Sequence, residues 1–157
     1  MKIISSVFEN NSKIPSKYTC DGENINPPLS FLEIPTNAKS LVLIMDDPDA
    51  PGGTWIHWIV FNIDPNTVEI AENSVPKGGI EATTSFGKKS YGGPCPPVRH
   101  RYAQALAGEP SGTHRYFFKL YSLDVVLNLN NPGKETLEKE MQGHIIDKSE
   151  LIGLYSR

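Results

Sequence analysis

Three long hydrophobic runs dominate the pattern of apolar and polar positions along this chain. They are SLVLIMD (40–46), WIHWIVFNI (55–63) and HRYFFKLYSLD (114–124). Each run is nearly continuous and rich in β-branched and aromatic residues, which is typical of central strands buried on both faces of a sheet. Shorter candidate strands, separated by turn signals, are KIISSVF (2–8), a piece around 80–85, and ELIGLYS (150–156). The pattern predicts a mainly β fold.

One helix is predicted after the third run. Asn131 is a candidate N-cap, good helix formers fill Lys134 to Gln142, and Gly143 offers a C-terminal stop. Leu137 and Met141 are four positions apart and therefore share a face of this helix. We expect an amphipathic helix that lies on a sheet and has no role in function.

Composition agrees with a single domain spanning residues 1–157, which is long enough to bury a sizeable core. The 13 Gly and 13 Pro point to many fixed turns and away from helix bundles. A net charge of −3 provides no broad basic field, so neither nucleic acid nor an anionic membrane surface is an expected partner. Any bound anion must be held locally.

The N-terminal segment MKIISSVFENNSK does not read as a secretory signal, because Asn and Ser interrupt it before an apolar stretch of about seven residues accumulates. No run approaches transmembrane length. We therefore expect the chain in a reducing cytoplasm, where Cys20 and Cys95 are predicted to be free thiols. A location outside the cytoplasm would reverse that prediction.

Strand alternation places His57 on one face with Trp55, Ile59 and Phe61. A lone histidine in an apolar stripe is often a core residue with satisfied hydrogen bonds. His57 therefore becomes a candidate for a binding site only if other polar groups lie near it.

Two other segments supply such groups. His114 and Tyr116 share a face of the third run, again by alternation. The first run ends in the corner DDPDAP (46–51), whose two prolines restrict the backbone and can hold Asp47 and Asp49 in a set direction. Aspartate beside proline is also a common turn residue, and GGPCPP (92–97) could be only a rigid loop. Only the set as a whole predicts a pocket.

These segments carry a resemblance to a known family. DPDAP, the HW of residues 57–58 and GTHRY (112–116) resemble signature segments of the phosphatidylethanolamine-binding protein family, which includes the Raf kinase inhibitor proteins and plant flowering regulators. YTCDGENINPPLSF (18–31), GGPCPP and ELIGLYSR (150–157) resemble its bacterial and archaeal branch. The similarity runs in order along nearly the whole chain.

The resemblance implies a fold and a site. The fold is mostly β, with a large, mostly antiparallel sheet packed on a smaller sheet and a few peripheral helices. The site is a small anion-binding cavity, without a cofactor or metal. Carried over by position, its ligand-binding residues are Asp47, Asp49, His57, Pro97, His114 and Tyr116.

The chemistry of such a site follows from its residue types. Imidazole N–H groups, backbone N–H groups and a tyrosine hydroxyl can all donate hydrogen bonds to a phosphate or carboxylate. Ionised aspartates cannot donate, so their expected role is to accept an imidazole N–H, which fixes the tautomer and favours the protonated ring. We predict a binding module for a small anion or phosphorylated head group, which could regulate a protein partner such as a kinase or protease.

Alternative chemistries remain open. His57, His114 and Asp47 have the ligand types of a zinc or iron site, or of a hydrolase, although no close histidine spacing supports a metal. Cys95, on the rim of the predicted pocket, could serve as a nucleophile, but its flanking prolines remove the helix N-terminus that would activate it. An enzyme is the less favoured prediction.

One segment departs from the family pattern, because VRHRYAQALAGEP, from Val98 to Pro110, separates GGPCPP from SGTHRY. It is predicted to be an insertion beside the pocket. It could act as a lid, bring Arg99, His100 or Arg101 to an anionic ligand, form a protein contact, or be a plain surface extension or a graft. Relatives suggest a homodimer as well, but the sequence identifies no interface.

Overall fold

A computed structural model of the protein describes residues 1–97 and 112–157, so the predicted insertion lies outside the described residues. These two ranges contain nine strands, one α-helix, α1 (Lys134–Met141), and one 3-10 turn (Ser16–Tyr18). The strands are β1 (Lys2–Ile4), β2 (Ser12–Lys13), β3 (Leu29–Leu32), β4 (Ser40–Asp47), β5 (Trp55–Ile63), β6 (Glu69–Ile70), β7 (Ile80–Glu81), β8 (Thr113–Leu123) and β9 (Ile145–Ser156).

The strands form two sheets. The larger has six strands in the order β2-β9-β8-β4-β5-β7, and the smaller has three in the order β1-β3-β6. Neighbouring strands are antiparallel except for the short parallel pair β2 and β9. This architecture confirms the predicted mostly β fold with a large, mostly antiparallel sheet and a smaller one.

The three long hydrophobic runs are the central strands of the large sheet. All eight residues of β4 are buried, as the continuous apolar pattern predicts. The face that carries Leu43 and Met45 packs on the small sheet, where Leu29 and Phe31 meet it. The short strands β2, β3 and β6 were not predicted, because two to four residues show too little periodicity to be recognised.

The opposite face of the large sheet lies under α1. Leu137 and Met141 are buried against Val42 and Ile44, which confirms the predicted apolar face of the helix. The predicted N-cap was wrong, because Gly133 occupies that position and the side chain of Asn131 instead accepts hydrogen bonds from Thr83. No helix in the described ranges has the length and apolar character needed to cross a membrane.

A β-bulge between β4 and β5 changes which side chains share a face. Met45 lies opposite Trp58 and Asp46 opposite Ile56, so His57 is an extra residue on β5. As a result His57 and Trp58 point to the same side although they are consecutive. The predicted stripe was therefore wrong in part, since Ile59 and Phe61 belong to the cluster on the opposite face.

The prediction of two free thiols was also wrong, because Cys20 and Cys95 form a disulfide. They are 75 positions apart in sequence, yet the fold brings their Cα atoms to 5.4 Å, within the ordinary range for a bridge. The physical reason is tertiary: the loop after Tyr18 lies against the segment 91–95, and the Cys20 N–H donates to the carbonyl of Pro94 at 3.1 Å.

Candidate functional site

A cavity of about 300 Å³ opens where β4 ends and where β5 and β8 begin. Five of the six predicted ligand-binding residues line it, together with Cys95, which was predicted for the rim. The lining residues are Asp47, Ala50, Pro51, Trp55, His57, Phe86, Cys95, Pro96, Pro97, His114 and Tyr116. The convergence of three strand ends in one pocket is therefore a feature of the structure.

Strand register explains why these side chains meet. In the pairing of β4 with β8, Asp46 lies opposite Phe117, so Asp47 comes beside the first residues of β8. His114 and Tyr116 alternate onto the face that continues with Phe118 in the core shared by the two sheets. The bulge adds His57 to the same side. Bulges often turn a side chain towards a functional site in this way.

Asp47 holds His114. The Oδ2 atom of Asp47 lies 2.7 Å from Nδ1 of His114, and the two side chains are only 4% and 3% exposed. The other carboxylate oxygen accepts the main-chain N–H of Asp49 at 2.8 Å, which fixes the carboxylate plane. With Nδ1 donating to Asp47, Nε2 is the ring nitrogen of His114 that is left for a ligand.

His57 is held from the other side of the pocket. Its Nδ1 lies 2.6 Å from the carbonyl oxygen of Gly92, so this nitrogen carries the proton and donates it. Burial lowers the pKa of His57, and the Gly92 carbonyl and the Asp47 carboxylate offset this only in part. The ring stands edge-on to Tyr116 and to Phe86, with centroid distances of 5.2 and 5.3 Å. His57 is therefore a neutral ring at neutral pH.

Tyr116 lies between the two histidines. Its side chain is fully buried, and its hydroxyl makes no hydrogen bond of good geometry with residues 1–97 and 112–157, although the Asp47 carboxylate and the Cys95 main-chain N–H lie near it. Burial, followed by the nearby Asp47 carboxylate, raises the pKa of Tyr116 above its ordinary range, so the hydroxyl keeps its proton. A buried donor without a partner costs about 1–3 kcal/mol. Tyr116 is also one of the residues that line the cavity.

Asp49 does not line the cavity. Its Oδ2 accepts the main-chain N–H of Arg115 at 3.0 Å and the Nε of the same residue at 2.8 Å, while Oδ1 accepts Nη2 at 2.7 Å. These hydrogen bonds lower the pKa of Asp49. The predicted role of orienting a histidine therefore fits Asp47 in this geometry, whereas Asp49 ties the corner to β8.

Two aromatic side chains at the cavity were missed as site residues. Trp55 and Phe86 line it, are 39% and 40% exposed, and meet edge to face with their centroids 5.6 Å apart. Trp55 was recognised only as part of a strand stripe. Phe86 follows Thr83 and Thr84 in a polar loop, and an isolated aromatic residue in such a loop was the only available signal.

The alternative chemistries find little support in this arrangement. No group of three or more His, Cys, Asp or Glu side chains is placed to hold a metal ion in the part of the chain that the structure describes. Cys95 is bonded to Cys20 and is not a thiolate nucleophile in this state. The predicted contributions of Arg99, His100 and Arg101 lie outside the described residues and stay predictions.

Comparisons with known proteins identify what the chain resembles. A family model described as phosphatidylethanolamine-binding protein matches residues 4–109 and 107–156, and the two matches meet close to the end of the predicted insertion. A UPF0098 protein of Methanothermobacter thermautotrophicus is 46% identical over 100% of this chain and 99% of its own length. A UPF0098 protein of Pyrococcus horikoshii is 49% identical over 98% of this chain and 76% of its own length.

Solved structures agree with these relatives. A phosphatidylethanolamine-binding protein homolog from Chlamydia trachomatis superimposes with a TM-score of 0.87 at 40% identity, covering 99% of this chain and 97% of its own. YbcL of E. coli, described as a member of the mammalian family, gives a TM-score of 0.84 at 23% identity, covering 99% and 98%. At that lower identity the second match shows the shared fold alone.

Proposed function

The chain belongs to the phosphatidylethanolamine-binding protein family, and we propose that its cavity binds a small anion or the phosphorylated head group of a larger molecule. The observation that carries this proposal is the hydroxyl of Tyr116, a buried donor without a protein partner in the described residues. Tyr116 lines the same cavity as His57 and His114. An anion between the two rings would accept this hydrogen bond.

The hydrogen-bonding groups around the cavity support an anion. The buried Asp47 carboxylate and a protonated His114 would form a neutral pair that still offers an Nε2–H donor to a ligand. The main chain between Tyr91 and Pro94 accepts the Nδ1–H of His57, and the ring of His57 is neutral because burial lowers its pKa. Protonation of His57 in the complex would add a positive charge directly beside the anion. The site therefore has one donor that needs no added proton, the Tyr116 hydroxyl, and two rings whose Nε2 atoms donate to an anion only when the ring is protonated.

The walls of the cavity favour a ligand with an organic part. Apart from the polar groups, the lining consists largely of aromatic and proline side chains, among them Trp55, Phe86 and Pro97. Such walls lower the local dielectric constant and strengthen each hydrogen bond to the anion. They also offer apolar contacts that a bare ion cannot use. A phosphorylated organic molecule is for this reason the preferred ligand class.

A hydrolase remains the second candidate, because a carboxylate–imidazole pair such as Asp47 and His114 is also the arrangement of a general base with its orienting group. The site lacks an activated nucleophile among the described residues, since Cys95 is held in a disulfide. Turnover of a phosphate ester with a bell-shaped pH profile would favour this alternative. Regulation of a kinase, a protease or another protein partner, and a homodimer, stay predictions.

The experiment is calorimetric titration of inorganic phosphate and of phosphoethanolamine into wild type, His114→Ala and His144→Ala. His144 is a matched control, because it is an exposed histidine bonded to Asp124 that does not line the cavity. We expect saturable binding at one site per chain, a loss of about tenfold or more in His114→Ala, and no change in His144→Ala. Absence of binding of both ligands to wild type would contradict the proposal.

A further inference from the structure

The cavity has one wall made by the end of the segment GGPCPP. Cys95, Pro96 and Pro97 all line the cavity, and Cys95 is joined to Cys20 by the disulfide. Pro96 is buried, whereas Cys95 is exposed and Cys20 is half-buried. The bond that holds this wall is therefore within reach of a reductant in solution.

Hydrogen bonds hold the part of the segment that precedes the wall. They join residues 91–94 to the loop of residues 18–24, and a Cβ atom on Gly93 would collide with the main chain of Tyr18 and Thr19. The two pieces of chain are thus in close contact. The bonds run from the Tyr91 hydroxyl to the Tyr18 carbonyl at 2.8 Å, from Gly93 N–H to Asn24 Oδ1 at 2.7 Å, and from Cys20 N–H to the Pro94 carbonyl at 3.1 Å.

Among the described residues, the wall itself has no comparable main-chain anchor. Pro96 and Pro97 have no N–H group to donate, and no main-chain hydrogen bond joins them to the other residues that the structure describes. Beyond Pro94, the disulfide at Cys95 is the covalent tie that fixes this wall to the loop of residues 18–24. A long contact of 3.7 Å between Arg157 Nη1 and Cys95 Sγ adds little.

Cys95 is also close to the polar groups of the cavity. Its main-chain N–H lies near the Tyr116 hydroxyl and slightly lowers the pKa of that group, against the larger effect of burial. A shift of the main chain at Cys95 would therefore change the surroundings of the donor on which the proposed binding depends. It would also displace Pro96 and Pro97 from the mouth.

We propose that the Cys20–Cys95 disulfide is a redox clamp on the cavity, so that the oxidised protein binds a phosphorylated ligand more tightly than the reduced protein. This inference rests on the proposed function. The reductant is a dithiol. One of its thiolates attacks a sulfur of the bridge, the S–S bond breaks, and the dithiol closes to its own disulfide. Cys20 and Cys95 each gain one electron and one proton and become thiols.

The size of the effect follows from the order that the clamp imposes. Once the bond is broken, the wall samples conformations in which Pro96 and Pro97 do not face the ligand, and binding must restore their order. The conformational entropy lost when the backbone of one residue is ordered is large enough to weaken binding by about fivefold. Hydrogen bonds as far as Pro94 stay in place, so we expect loosening of the wall and not unfolding of the loop.

The test combines binding with amide hydrogen exchange. Phosphoethanolamine, whose organic part can contact the wall, is titrated into the oxidised protein, into protein reduced with dithiothreitol, and into a Cys20→Ser, Cys95→Ser double variant. We expect about fivefold weaker binding for both the reduced protein and the variant, and no effect of dithiothreitol on the variant. Equal affinity of the oxidised and reduced protein would overturn the clamp.

Hydrogen exchange of the ligand-free protein separates failure of the clamp from failure of the binding proposal. Reduction should speed exchange of the Cys95 amide, which is the one N–H between Pro94 and Pro97, and should leave the amides of Gly92, Gly93 and β4 unchanged. If the oxidised protein binds neither phosphate nor phosphoethanolamine, the anion proposal fails, and faster exchange after reduction still supports a redox-controlled wall. If the exchange rates are equal in the oxidised and the reduced protein, the clamp proposal is wrong, whatever the titration shows.

Discussion

The Nδ1 atom of His114 lies 2.7 Å from the Oδ2 atom of Asp47, and neither side chain is more than 4% exposed. This pair joins the end of β4 to the beginning of β8 at the bottom of the cavity. Because the carboxylate also accepts the N–H of Asp49, it cannot turn away from the imidazole without losing a second hydrogen bond. Asp47 thus fixes the direction in which His114 presents Nε2.

Replacing Asp47 by asparagine should weaken anion binding by about tenfold or more, because a hydrogen bond to a charged group contributes about 1.5–3 kcal/mol. The amide carries no negative charge, so its hydrogen bond with the imidazole is weaker. Asp49→Asn is the matched control, since Asp49 binds the partly exposed Arg115 and stands outside the cavity. Phosphate titration of both variants checks this. Equal losses would show that the two carboxylates do not differ in role.

Tyr116→Phe should change binding and stability in opposite directions. The variant removes a buried hydroxyl that has no partner in the described residues, so folding of the free protein should be unaffected or improved by about 1 kcal/mol. Binding of phosphate should weaken by about fivefold or more, since one donor is lost. Urea unfolding and calorimetry measure the two effects. A clear loss of stability would mean that the hydroxyl already has a structural partner.

His57 should make stability depend on pH. Its folded-state pKa lies below the usual value of 6.5 because burial disfavours the charged ring. Between that lowered pKa and 6.5 the unfolded chain binds more protons, so stability rises with pH through this window and is lost on acidification. Urea unfolding from pH 5 to pH 7 should show a shallower pH dependence in His57→Gln than in wild type. Parallel curves would contradict a buried neutral ring.

The same histidine should make anion binding stronger at low pH. Sulfate is the suitable probe, because it does not titrate in this range. Its affinity should rise as pH falls through the window below 6.5, since a protonated His57 adds a positive charge to the cavity. His57→Gln should lose most of this dependence. If wild type binds sulfate equally at pH 5 and pH 8, His57 does not contact the anion.

Removal of the disulfide should lower stability as well as loosen the cavity wall. The bridge joins residues 75 apart, and closing a loop of that length contributes about 2–4 kcal/mol to stability. The Cys20→Ser, Cys95→Ser variant and the wild type in dithiothreitol should both unfold at lower urea concentration, by similar amounts. Unfolding midpoints that match the oxidised wild type would show that the bridge does not constrain the unfolded chain.

Local sequence pattern predicted the parts of the fold that depend on neighbouring residues. The β5 strand begins at Trp55 and ends at Ile63 as predicted, and Leu137 and Met141 form the buried face of α1. These predictions succeed because a continuous apolar run or a spacing of four is sufficient to show which side is buried. The alternation of His114 and Tyr116 was equally local.

Other features could not be read in this way, since they depend on what lies opposite in space. Ile59 and Phe61 were assigned to the face of His57, but the bulge opposite Asp46 reverses that face. Asp47 and Asp49 read alike in DDPDAP, yet one binds His114 and the other Arg115. Nothing in the local sequence distinguishes them, because the difference lies in the register of β8 against β4.

The sequence by itself therefore determined the family, the mainly β architecture and five of the side chains that line the cavity, because motif spacing and strand periodicity are local properties. Only the tertiary structure decided which aspartate holds a histidine, which way His57 points, and that Cys20 meets Cys95. Each of these depends on the pairing of distant segments, where a shift of one residue turns a side chain to the opposite face.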